Sequence, residues 1–140
     1  YGADTARWFM LSDSPPERDL EWTEAGVSGA WRFQQRLYRL LSEAIGGGVS
    51  AAKANGAFSD AAMTLRRAAH KAAAGISADI EAFHFNKAVA RLYELANAIE
   101  GFKAATDSDR AALSETLDIF VRLIAPMTPH LAEELWTLLG

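Results

Sequence analysis

The chain has 140 residues, 50% of them apolar and 23% charged, a globular mix that fits one domain and argues against disorder. It has no cysteine, which excludes disulfide scaffolds, thiolate zinc sites and thiol nucleophiles. No apolar run reaches the roughly 18 residues of a membrane span, and the net charge of -4, taken alone, argues against a dedicated nucleic-acid binder.

The first predicted helix runs from Ala3 to about Leu11. Trp8, Phe9 and Leu11 give it an apolar face, and Asp4 serves as N-cap or first-turn acid. Pro15-Pro16 stops it, because proline lacks an N–H and restricts the residue before it. Ser12 to Trp22 then reads as an acidic loop with Trp22 as its anchor.

Thr23 is the predicted N-cap of a second helix reaching Ile45, with Val27, Ala30, Trp31, Leu37, Tyr38, Leu41, Ala44 and Ile45 on its apolar face. Gly26 and Gly29 weaken its first turns unless another segment packs closely there. Gly46-Gly47-Gly48 ends it, and Gly46 to Gly56 reads as a linker or mobile loop. A third helix, capped by Ser59, is predicted from Asp60 to Phe83, with Gly75 as a weak point. Asn86 caps a fourth, from Lys87 to Phe102. Thr106 or Ser108 caps a fifth, which Pro126 ends. Thr128-Pro129 opens a sixth, whose apolar face is Leu131, Leu135, Trp136 and Leu139. No segment alternates with period two. The predicted fold class is all-α, a helical bundle of about five or six helices.

Charge is patterned along these helices. Asp13, Glu17, Asp19, Glu21 and Glu24 face only Arg18 in the acidic loop. Arg32, Arg36 and Arg39 follow at spacings of four and three with no acid between them. Arg66 with His70 and Arg67 with Lys71 repeat a spacing of four on the third helix. Guanidinium groups grip phosphate oxygens through two parallel hydrogen bonds. The same spacings also suit a solvated helix face, on which Arg39 pairs with Glu43.

Residues for chemistry are not assembled. Gly46-Gly47-Gly48 lacks the lysine and hydroxyl residue of a phosphate-binding loop. His130 with Glu133 and Glu134, and His84 with Glu81, fall short of a metal pair drawn from several helices, so no catalytic and no metal residue is predicted.

Tyr1-Gly2-Ala3-Asp4-Thr5-Ala6-Arg7-Trp8-Phe9-Met10 resembles the segment after the Lys-Met-Ser-Lys-Ser signature of class I aminoacyl-tRNA synthetases. Ser14-Pro15-Pro16-Glu17, Leu20-Glu21-Trp22, Gly26-Val27-x-Gly29-Ala30, Arg32-Phe33-x-x-Arg36-Leu37 and Phe85-Asn86-x-Ala88-Val89 resemble the leucyl-tRNA synthetase family in particular. Ala125-Pro126-Met127-Thr128-Pro129-His130-Leu131-Ala132-Glu133-Glu134-Leu135-Trp136 resembles the end of the helical anticodon-binding domain shared by the leucine, isoleucine and valine enzymes.

The resemblance implies a piece of a longer ligase: a connector at residues 1–22 after the catalytic domain, then a tRNA-docking bundle at 23–140, truncated at its C-terminus. It implies a cytoplasmic, monomeric parent that joins leucine to its tRNA with ATP and magnesium. Those cofactors, the catalytic signatures and the editing insertion have no counterpart here, so the piece alone is expected to be inactive. Its partners would be leucine tRNA and the catalytic domain of the same chain. Arg32 and Arg36 match the family's arginine positions, with Arg39 a turn further on. Arg67, His70 and Lys71 match the start of its long third helix. All six are candidate tRNA contacts. Contacts to phosphate would position tRNA without reading sequence, in keeping with a family that largely does not depend on the leucine anticodon. The alternative is a structural spacer that holds the catalytic core and a C-terminal region in register with little RNA contact.

Overall fold

The computed structural model describes residues 1–140 and has six α-helices and no strand, the all-α bundle that the sequence predicts. They are α1 (Ala3–Ser12), α2 (Glu24–Gly46), α3 (Asp60–Glu81), α4 (Phe85–Gly101), α5 (Asp107–Ile124) and α6 (Pro129–Leu139), with a short 3-10 turn at Val49–Ala51. α3, α4 and α5 pack on one another as one group. α1, α2 and α6 form a second, joined to the first through α1 against α4 and α6 against α5. A single apolar core runs through both, and the leading segment contributes Trp8 and Phe9 to it.

Local capping chemistry sets most helix starts. The Thr23 hydroxyl accepts from the Gly26 N–H at 3.2 Å, and Ser59 Oγ from the Ala62 N–H at 3.1 Å. Thr106 and Asp109 form a reciprocal capping box at the start of α5. Asp109 also accepts from Ser59 Oγ and from the Ala105 N–H, tying the starts of α3 and α5 together. The Ala105 N–H and the Ser59 hydroxyl hold its carboxyl below the usual aspartate range. A depressed folded pKa gives stability that is present above the unfolded value, near pH 3.9, and is lost as pH falls through the lower folded value. The stability gap between the wild type and Asp109→Asn should therefore narrow on acidification from about pH 7 to about pH 2.5. Urea denaturation across that range checks it, and a constant gap would contradict it.

Four expectations change. α4 begins at Phe85, not Lys87, and His84 takes the N-cap position in place of Asn86. α3 ends at Glu81, because Phe83 adopts a left-handed conformation (φ 59°) and the His84 N–H closes back on the Asp79 carbonyl at 2.7 Å. The stretch after α2 is fastened rather than loose: Val49 is buried, and Ser108 Oγ bonds both the N–H and the carbonyl of Asn55. Thr128 occupies the N-cap position of α6, but its buried hydroxyl donates to the Ile124 carbonyl. The cap instead comes from α1, where Asp4 Oδ2 accepts from the Leu131 N–H at 2.7 Å and Oδ1 meets His130 Nδ1 at 3.0 Å.

Two of the three suspect glycines have packing reasons, whereas a Cβ at Gly29 would meet nothing within 4 Å. A Cβ at Gly26 would meet the Phe9 ring and, at 2.8 Å, Thr23 Oγ1. A Cβ at Gly75 would meet the Arg91 guanidinium at 2.8 Å.

Candidate nucleic-acid interface

α2 buries Val27, Ala30, Phe33, Leu37 and Leu41. That choice of face turns Arg32 and Arg39 outward and leaves Arg36 at the edge, beside α4. Arg36 is not free. Its Nη2 donates to Asn97 Oδ1 at 2.7 Å, and its Nε and Nη2 both engage Glu100 Oε2 near the C-terminal end of α4. Arg39 reaches the other Glu100 oxygen only at 4.0 Å, so the Glu43 pairing allowed by spacing is not made. Arg32 makes no ion pair.

The second stripe divides in the same way. On the α5 side of α3, Arg66 Nε donates to Glu115 at 2.6 Å and His70 Nε2 meets the same carboxylate at 2.8 Å. The Arg66 hydrogen bond, helped by His70, holds the Glu115 carboxyl below the usual glutamate range. Arg66 also lies 4.4 Å from the Phe58 ring centroid. Arg67 and Lys71, turned away from α5, are exposed and make no ion pair.

α4 lies between the stripes. Asn97 and Glu100 meet α2 on one flank. On the other, Arg91 and Glu94 line a groove of about 250 Å³ with Lys71, Ala68, Ala72 and Leu95. Arg91 is a site residue that the sequence did not single out. Its guanidinium sits against Gly75 and donates to the buried Asp79 at 2.7 Å. Only the missing side chain at Gly75, far from Arg91 along the chain, hints at this arrangement.

The six candidates thus fall into three classes. Arg32, Arg67 and Lys71 are unpaired and exposed. Arg39 is weakly held. Arg36 and His70 already face carboxylates. A phosphate that takes Arg36 or His70 must first displace Glu100 or Glu115, whereas the unpaired cations have no such partner to lose. The arrangement can grip separated phosphates along a backbone. No three histidine, aspartate or glutamate side chains gather where they could hold a metal ion, and no helix is long and apolar enough to cross a membrane.

Residues 63–140 match the family model described as the anticodon-binding domain of tRNA ligase. The chain is 54% identical over 141 residues to the leucine–tRNA ligase of Parvibaculum lavamentivorans and 57% identical over 142 residues to that of Rhizorhabdus wittichii. Both matches take in all of this chain, which spans only 16% and 15% of those relatives. Among solved structures, all of the chain superposes on 18% of the LeuRS chain in the crystal structure of the Agrobacterium radiobacter K84 agnB2 LeuRS–tRNA–LeuAMS ternary complex. That match has a TM-score of 0.87 and 28% sequence identity.

Proposed function

Because the chain belongs to the anticodon-binding domain family of tRNA ligases, we propose that it is the tRNA-docking bundle of a leucine–tRNA ligase. The observation that carries the proposal is the pair of outward cationic stripes on α2 and α3, with Arg32, Arg67 and Lys71 unpaired. An exposed cation with no carboxylate partner sheds only water and counterions when it meets a phosphate. A paired one must first give up its partner, so the unpaired three contribute most to docking and Arg36, Arg39 and His70 contribute less.

The relatives that match over the whole chain are named leucine–tRNA ligase, and the solved neighbour holds tRNA. Both support leucine tRNA as the partner. Joining leucine to tRNA calls for ATP and magnesium. We assign that chemistry to the catalytic domain of the same ligase, taken to act as a cytoplasmic monomer. The bundle's part is to hold tRNA in position.

The test uses the full-length ligase with Arg32→Ala, Arg67→Ala and Lys71→Ala combined. The KM for leucine tRNA should rise about tenfold or more, while leucine-dependent pyrophosphate exchange stays near the wild-type rate. An unchanged KM would reject the proposal.

A further inference from the structure

We propose that the outward face of α2 carries an aromatic seat for an unpaired base of the bound RNA, built from Trp31 and Tyr38. This deepens the docking proposal and rests on it. The spacing of α2 predicts both rings in the core, yet Trp31 is 38% exposed and Tyr38 44%. They stand seven residues apart, two helical turns, on the same side of the helix. Together with Tyr1, Gln34, Gln35 and Leu131 they line an open groove of about 340 Å³. Tyr1 meets Trp31 in a T-shaped contact with ring centroids 6.1 Å apart, which fixes the indole.

The surroundings select the occupant. Arg32 and Arg39 each follow one of the two rings in sequence; Arg32 makes no ion pair, and Arg39 reaches Glu100 only at 4.0 Å. Glu24 is the acid nearby, and the Tyr1 hydroxyl takes it up by donating to it. Gln34 and Gln35 bring side-chain amides to the groove wall. Exposed aromatic rings, amides and flanking arginines are the set that stacks, edge-reads and neutralises a nucleotide. Paired bases offer no free face to stack on, so the occupant is a base outside a helix.

The experiment measures leucine-tRNA affinity of the full-length ligase at several salt concentrations. Trp31→Ala/Tyr38→Ala should loosen binding about tenfold, with the slope of log affinity against log salt unchanged, because stacking releases no counterions. Trp31→Phe/Tyr38→Phe keeps both ring faces and should bind within about threefold of the wild type. Wild-type affinity in the alanine pair would overturn the proposal. So would a fall in amino-acid activation with tRNA affinity intact, the mark of a groove filled by another part of the ligase. Arg32→Ala, measured alongside, separates the two ideas. A shallower salt slope there with no effect in the aromatic pair rejects only the base seat, whereas an unchanged slope counts against the docking face of α2 itself.

Discussion

Trp8→Ala should lower the stability of the bundle by about 3–5 kcal/mol, the range for deleting a large buried aromatic. Trp8 is fully buried and joins three helices. Its ring lies 5.1 Å from Phe33 of α2 and 5.9 Å from Tyr93 of α4, and Phe33 and Tyr93 are themselves 3.9 Å apart. The indole N–H points to the Tyr93 hydroxyl at 3.4 Å. Removing the ring leaves a cavity where α1 meets the rest of the core, and three helices cannot all move in to fill it. A loss of this size is a large part of the roughly 5–15 kcal/mol that holds a domain folded. Trp8→Phe, which keeps an aromatic ring against Phe33, should lose less. Urea denaturation followed by helical circular dichroism checks both, and a loss below about 1 kcal/mol in the alanine variant would mean that α1 is not an integral part of this core.

Combining Arg32→Ala, Arg67→Ala and Lys71→Ala should cut leucine-tRNA affinity about 10- to 100-fold at low salt, roughly a factor of several per phosphate contact. The loss should shrink as salt rises. Each phosphate contact releases close to one counterion, so the slope of log affinity against log salt should become shallower by about 2–3. Arg36→Ala should behave differently. It leaves Glu100 with only the 4.0 Å contact to Arg39, so part of its effect is structural and follows stability as well as salt. The spacer alternative makes the opposite prediction for the triple variant: reduced amino-acid activation, with tRNA affinity unaltered.

The helix starts that were legible in the sequence are those set by local chemistry. Thr23, Ser59 and Thr106 cap through side chains three residues from their partners, and proline marks the first position of α6. The start of α4 was misread because Asn86 resembles a cap, while the chain turns one step earlier, on a left-handed Phe83. Burial was harder to read. α2 carries apolar residues around more than half its circumference, and its neighbours α1 and α6, not its own spacing, decide that Phe33 goes in while Trp31 and Tyr38 stay out. Trp136 likewise sits exposed under Arg122, 4.6 Å from its ring centroid, rather than in the core. Trp22 contacts the Phe9 ring but remains exposed.

The candidate site was legible as stripes but not as a division between free and paired cations. That division depends on Glu100 and Glu115, which reach Arg36, Arg66 and His70 from other helices. The Asp4 contact to α6 was hidden for the same reason: its partners lie at the far end of the chain.

The most direct test of the docking account is the acylation rate of individual lysines in the full-length ligase, with and without saturating leucine tRNA. Lys71 should be protected at low salt and regain its free rate at high salt, while Lys53, past the 3-10 turn, reacts equally throughout. Lys71 acylated at the same rate with and without tRNA would contradict the account.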